Sequence, residues 1–235
     1  MTGAARRIGR AVSLALAARG ASIVVHYARS ADAAASLVAE LEALGVRAHL
    51  LKADLAVPEE AERLVSRARE RAGGIDALVN NASIFESETL DAAALERLVR
   101  NVKVNAWAPF ALTRALARQS SRGKVVNLLD ARLAGLDLAH TGYFLSKHLL
   151  AVVTRMTAVA FAPRLSVNAV APGLILPPPG QDEAYLAQLA RRLPLERHGG
   201  PQDVARAVVF LLESDFITGQ VIFVDGGQHL REAGP

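Results

Sequence analysis

The sequence predicts a doubly wound α/β fold, a parallel sheet with helices on both faces. Three observations predict it. Short β-branched runs alternate with longer amphipathic ones along the 235 residues. The connections between them are short, as strand–helix–strand units require. Hydrophobic residues make up 51% of the chain, enough for a sheet sheathed on both sides. No internal repeat and no linker rich in Gly, Pro or Ser divides it, so residues 1–235 are expected to form a single domain.

Thr2-Gly3-Ala4-Ala5-Arg6-Arg7-Ile8-Gly9 reads as a turn leading into a helix over Arg10–Arg19. Glycines let the backbone approach a phosphate, and a helix N-terminus favours its charge. In a doubly wound sheet such a turn follows a central strand of about five residues. Only Met1 precedes Thr2 here. The first strand is therefore expected to be missing from this chain, and its start not to be the natural one. A GTG valine codon used as initiator would turn Val-Thr-Gly into Met-Thr-Gly.

Ser22–Tyr27 is the next expected strand, followed by a helix over Ala31–Leu44 that Gly45 ends. Arg47–Lys52 is a strand, Glu59–Ala72 a helix before Gly73-Gly74, and Ala77–Asn80 a buried strand. A long helical stretch covers Ala92–Ala117. Lys124–Leu129 is a strand, Gly142–Ala160 a long helix and Ser166–Val170 a strand. Gln202–Leu212 is helical, and Gln220–Val224 is the last strand before Asp225-Gly226-Gly227. In such sheets ligands bind beyond the carboxyl ends of the strands.

Composition removes several classes of function. There is no cysteine, so disulfides, thiolate metal sites and cysteine nucleophiles are excluded. No apolar run is long enough for a membrane span, and no secretory signal opens the chain. A cytoplasmic location and no membrane partner are the expectations. The net charge is +4, but no dense Lys/Arg run with interleaved aromatics appears, so no nucleic-acid partner is expected. The six histidines (His26, His49, His140, His148, His198, His229) lack ligand spacing and read as surface or packing residues, with no metal.

Tyr143 and Lys147 are four residues apart, on one face of a helix. A phenol with a pKa near ~10 becomes a useful proton donor when a neighbouring cation lowers that value, and Lys147 offers one. Asp130 ends the strand before them. A carboxylate at a strand end is costly without partners, which favours a place in the site. Asn105 lies in Val104-Asn105-Ala106. Asn80-Asn81-Ala82-Ser83 and Ala171-Pro172-Gly173 each follow a strand, and Thr218-Gly219-Gln220 with Val224-Asp225-Gly226-Gly227 closes the chain.

In this order, over almost the whole length, these motifs resemble the short-chain dehydrogenase/reductase family with its Rossmann-like fold. The resemblance implies roles. Tyr143 would be the proton donor, and Lys147 would lower its pKa and hold the nicotinamide ribose. Asn105 would maintain a water relay behind Lys147, and Pro172 and Gly173 would border the nicotinamide. Gly3, Arg6, Arg7, Ile8, Gly9, Leu55, Asn81, Ala82 and Ser83 belong to its cofactor cradle, and Asp54 matches the residue that contacts adenine. Two positions depart from the commonest pattern. Arg7 stands at the second glycine of the turn, and Asp130 stands where the catalytic serine is usual. Both are similar to the pteridine reductase branch.

No acid follows the second strand until Asp32; Tyr27, Ala28, Arg29 and Ser30 stand there instead. An NAD site wants an acid for the ribose 2′-hydroxyl. Arg29, Ser30 and Arg6 would hold a 2′-phosphate, so NADPH is the expected cofactor. The alternative makes Arg29 a solvated helix-entry residue. On the substrate side, Phe85 would stack on a flat ring or pack under the site. Arg7 and Ser83 would bond its polar edge, Asp130 would bind an amino-pyrimidine nitrogen or assist Tyr143 in proton delivery, and Leu174 opens a lid over 174–195 that contains Leu176-Pro177-Pro178-Pro179-Gly180.

The first reading is thus an NADPH-dependent reductase of a pterin- or dihydrofolate-like ring. The alternatives are a carbonyl reductase resembling 3-oxoacyl-carrier-protein reductases, and a non-catalytic dinucleotide-binding protein. The resemblance also implies a homotetramer built through Trp107–Ala117 and Gly142–Ala160, whose apolar residues cover more than one face.

Overall fold

The computed structural model describes every residue except Ser121, Pro179 and 233–235. Among the described residues six parallel strands form two sheets. β1 (Ile23–Tyr27) pairs with β2 (Ala48–Lys52), with Ile23 opposite Ala48. β3 (Ala77–Asn80), β4 (Gly123–Leu128), β5 (Leu165–Pro172) and β6 (Val221–Val224) follow one another in the second sheet. Because all strands run the same way, their carboxyl ends share one edge.

Successive side chains of a strand point to opposite faces, and the core shows it. Leu78 and Val125 join Leu64 of α3 (Pro58–Ala72) and Leu112 of α5 (Ala108–Gln119) on one face. Their neighbours Val79 and Val126 meet Val12 of α1 (Arg7–Ala17) and Val208 of α8 (Pro201–Glu213) on the other. α2 (Ala31–Ala43) covers the small sheet through Leu37 and Leu41. Each such leucine contributes roughly 1.5–3 kcal/mol of burial. The boundaries follow local chemistry. α3, for instance, opens on Pro58 with Glu59 and Glu60 in its first turn, and stops at Gly73 in the left-handed conformation at φ 82°.

The long helical stretch expected over Ala92–Ala117 is broken. A 3₁₀ turn (Leu90–Ala92) precedes α4 (Leu95–Val102), and a π-helical turn (Lys103–Trp107) separates α4 from α5. Pro109, in the first turn of α5, has no N–H to give an uninterrupted ladder. α6 runs Thr141–Ala160 as one piece. Two short helices escape the sequence pattern: α7 (Glu183–Ala190), inside the expected lid, and α9 (Gln228–Glu232). No helix of the described residues is long and apolar enough to cross a membrane.

The two sheets are joined where the first strand was expected. The Met1 amine donates to the Val24 carbonyl at 3.1 Å, and the His26 N–H to the Met1 carbonyl at 3.1 Å. On the other side Thr2 N–H donates to the Val79 carbonyl at 3.0 Å. Beyond this junction a cavity of about 420 Å³ lies between β1 and β3, walled by Leu16, Val24, Leu78, Leu112 and Leu116.

Candidate active site

The turn after Thr2 is shaped by side chains of three segments. Thr2 Oγ1 accepts from the N–H groups of Asn81 (2.9 Å) and Ala82 (3.1 Å). Asn81 Nδ2 donates to the carbonyls of Thr2 (3.1 Å) and Gly3 (3.0 Å). Gly3 has φ +58° and its N–H donates to His26 Nδ1 at 3.2 Å. His26 Nε2 faces the Ala53 carbonyl at 3.1 Å, so the ring is the neutral Nε2–H tautomer. Burial lowers its pKa from 6.5 to about 4. A Cβ on Gly9 would stand 2.1 Å from the Gly3 carbonyl oxygen, which makes this a cradle only glycine permits.

α1 begins directly on this turn. Arg6 caps it without a side-chain hydrogen bond, and no acid lies in its first turn. Its leading N–H groups therefore meet no carboxylate of their own helix, which suits an anionic ligand. Arg7 adopts φ +53°, a conformation glycine takes freely and arginine rarely, and its Nη2 donates to the Pro177 carbonyl at 3.1 Å. A cavity of about 490 Å³ opens here. It brings together the turn (Gly3, Arg6, Arg7, Ile8, Gly9), the end of β1 and the loop after it (Tyr27, Arg29, Ser30), the loop after β2 (Asp54, Leu55) and the loop after β3 (Asn81, Ala82, Ser83). Arg6 and Arg29 are exposed, and neither has a carboxylate partner among the described residues.

Four residues converge at the other end. Tyr143 Oη donates to Asp130 Oδ2 at 2.6 Å, and Asp130 Oδ1 accepts from the Arg132 N–H at 2.9 Å. Lys147 Nζ donates to the Leu128 carbonyl at 2.7 Å and lies 5.5 Å from the Tyr143 ring centroid. Asn105, in the π turn, accepts from the Ile84 N–H (2.9 Å) and Ser83 Oγ (3.0 Å). It donates to the Ile84 carbonyl (3.0 Å) and to Ser146 Oγ (3.0 Å).

One expectation is not met. Tyr143 is held above its usual pKa rather than lowered, first by burial and then by the Asp130 carboxylate it bonds to. Burial instead lowers Lys147 itself, from 10.5 to about 8, against an upward pull from Asp130. Asn105 is engaged at both ends of its amide and so ties the loop after β3 to α6.

The expected substrate residues are divided. Asp130 and Leu174 share a second cavity, about 470 Å³, with Gly173 and the lid residues Leu189 and Leu193. Arg7 and Ser83 line the first one. Phe85 stands edge-on to Tyr143 at 4.7 Å, but His140 already stacks on its ring at 4.1 Å, so it is not an open platform. His140 is steered there by Asp137, 2.9 Å away, which also pairs with Arg132 at 2.7 Å. Pro172 precedes Gly173, where a Cβ would stand 2.6 Å from that of Asp225. Both ends of the lid segment are pinned: Gly199 N–H to the Leu174 carbonyl (3.0 Å) and Leu195 N–H to Gly226 (3.1 Å). Pro179 of the proline run lies outside the described residues.

Sequence reasoning missed Thr2 and His26 as organisers of the turn, and Arg132, Asp137 and His140 beside Tyr143. His26 reads from the sequence as a surface or packing residue; the flanking β-branched run was the signal that it is buried. Among the described residues no group of three His, Asp or Glu is placed to hold a metal.

Residues 3–229 match the family model described as enoyl-(acyl carrier protein) reductase. The chain belongs to the short-chain dehydrogenase/reductase family. It is 33% identical to an L-rhamnose 1-dehydrogenase (NAD(P)(+)) from Sphingomonas sp., covering 98% of this chain and 95% of that one. It is 35% identical to a 3-oxoacyl-[acyl-carrier-protein] reductase from Synechocystis sp., over 97% and 94%. Among solved structures, the FolM alternative dihydrofolate reductase 1 from Brucella suis in complex with NADP superposes with a TM-score of 0.92 at 36% identity, over 97% and 93%. By their names these relatives act on L-rhamnose, a 3-oxoacyl-[acyl-carrier-protein] and dihydrofolate, so membership gives the oxidoreductase class and leaves the substrate to the site.

Proposed function

We propose that this protein is an NADPH-dependent reductase of a C=N bond in a pterin- or dihydrofolate-like ring, with Tyr143 as the proton donor. The observation that carries the reading is the 2.6 Å hydrogen bond from Tyr143 to Asp130. Hydride transfer to a ketone builds negative charge on oxygen, which a carboxylate at this place opposes. Reduction of a C=N bond proceeds best through nitrogen carrying positive charge, which the same carboxylate stabilises. Tyr143, kept protonated by its surroundings, gives its proton to the ring nitrogen while the adjacent carbon takes the hydride. One N–H and one C–H bond form, and the double bond becomes single.

NADPH, when bound, supplies the hydride and leaves as NADP. The residues present fit it. The glycine cradle and the uncapped start of α1 suit a pyrophosphate. Arg6 and Arg29 suit a 2′-phosphate, with Ser30 beside them. The NADP complex of the Brucella relative supports the choice. Lys147 and Tyr143 would hold the nicotinamide ribose, and Pro172 and Gly173 would border the ring.

The test is NADPH oxidation with dihydrobiopterin, biopterin, dihydrofolate and an acetoacetyl thioester. Pterin or folate turnover is expected to fall at least about 100-fold in Tyr143→Phe, and by a similar factor in Asp130→Asn. Turnover of the thioester alone would overturn the proposal in favour of a 3-oxoacyl reductase, the reading that the Synechocystis relative supports. NADPH binding with no turnover would point to a non-catalytic protein.

A second copy is the partner proposed for the outer face of α5 and α6. Trp107, Leu149 and Met156 are exposed there beside an apolar groove of about 270 Å³.

A further inference from the structure

The cavity beside Asp130 is charged at two places, with opposite signs. Asp130, bonded to Tyr143, marks where chemistry happens. The same 470 Å³ space is also lined by Arg192, at the end of the lid segment, and Arg231, on α9. Arg231 Nη1 donates to the Arg192 main-chain carbonyl at 2.6 Å, which fixes one guanidinium against the backbone that carries the other. Neither has a carboxylate within ion-pair distance among the described residues. Arg132, the third arginine of the cavity, is different: Asp137 neutralises it at 2.7 Å. Two like charges brought to one concavity repel each other, and an anion placed between them removes that cost. Arginine forks also match carboxylate and phosphate oxygens bidentately.

We infer that Arg192 and Arg231 form a subsite for an anionic tail, a carboxylate or phosphate, on the substrate whose ring is reduced at Tyr143. The inference rests on the ring-reductase reading and adds the substrate's second charge. The volume is large enough for a ring with an extended substituent. The leucines of the lid, Leu189 and Leu193, supply apolar contact between the two charged places. Arg192 reaches the cavity from the lid segment and Arg231 from α9, so a bound anion also ties these two elements together.

Two measurements test this. The first compares kcat/KM for dihydrofolate, which carries carboxylates, for a dihydropterin with a side-chain phosphate, and for neutral dihydrobiopterin. At least one anionic substrate is expected to be preferred, and the preference to fall about tenfold in Arg192→Gln or Arg231→Gln, the loss of one charge-assisted contact. Which anion responds separates carboxylate from phosphate. Arg192→Lys should recover part of the preference, which a purely structural role would not produce. Unchanged ratios overturn the inference while leaving ring reduction standing. The second measurement needs no turnover: calorimetric binding of 4-aminobenzoylglutamate and of inorganic phosphate to the NADPH-loaded protein. Binding weakened about tenfold by either substitution supports the subsite. Absent or unaffected binding of both anions overturns it, even if no pterin is ever reduced.

Discussion

Tyr143 and Lys147 lie one helical turn apart, yet burial acts on them in opposite senses. Desolvation disfavours the charged form of each, so it raises the phenol and lowers the ammonium. The phenol is thereby kept as a donor throughout the neutral range, and the residue that titrates near neutrality is Lys147, at about 8. If its charge is needed, kcat/KM of the free enzyme falls about tenfold per pH unit above about pH 8. The same shift has a stability signature. The folded pKa of about 8 lies below the ordinary 10.5, so between these values the unfolded chain binds more protons. Stability therefore rises with pH across that window, by about 3 kcal/mol in all. Below pH 8 the buried ammonium exacts its full cost. Urea titrations from pH 7 to 11 check this: the rise should be present in the wild type and absent in Lys147→Met. A rise of the same size in both proteins would assign it to other groups.

At the scale of elements, the phosphate-type turn is the tightest construction in the protein. It is held by Thr2, Asn81 and His26, each from a different segment, and it leaves no space at Gly9. Gly9→Ala places a methyl group 2.1 Å from a main-chain oxygen, so backbone must move. The expected outcome is a loss of about 1–3 kcal/mol in stability and a loss of NADPH binding at least tenfold greater than at the exposed Arg29→Gln, by fluorescence titration and thermal melting. Equal effects would mean that the turn does not hold the cofactor. The glycines of this turn were legible in the sequence because a close backbone approach permits no other residue. The strands were legible because β-branched runs are short and flanked by turn residues. The break at Lys103–Trp107 was not, since a π turn inserts itself without disturbing the apolar period on either side. Nor were α7 and α9, which are eight and five residues long and too short to establish a period. Asp130 was legible as a departure from a family pattern and as an aid to proton delivery by Tyr143, but the direct bond was not, because nothing in a spacing of thirteen residues fixes two side chains 2.6 Å apart. Arg192 and Arg231 carry no pattern at all; only the fold brings them to one cavity.

The whole molecule inherits the consequence of a divided sheet. β1 and β2 carry Arg29 and Ser30 at their carboxyl edge, whereas β3 to β6 carry the groups around Tyr143. The two sheets meet through main-chain bonds at Met1, Thr2 and Ala4, side-chain bonds of Thr2, His26 and Asn81, and the packing of Leu51 with Leu78, but beside these lies the 420 Å³ cavity. A continuous parallel sheet would transmit protection across every strand. Cooperativity is therefore expected to weaken at the β1–β3 boundary, with a lower opening free energy for the smaller sheet. Native-state hydrogen exchange should show amides of Ile23–Tyr27 opening at a free energy lower than those of Val125–Leu128 by more than about 1.4 kcal/mol, a tenfold difference in rate. Because a ligand lying across both halves binds only the closed arrangement, NADPH should raise the protection of β1 more than that of β4. Uniform protection in the free protein would show that the junction at Met1 and Thr2 alone suffices to make one cooperative sheet. A ligand effect confined to β4 would place the cofactor away from the loop after β1, and with it remove Arg29 and Ser30 from the 2′-phosphate.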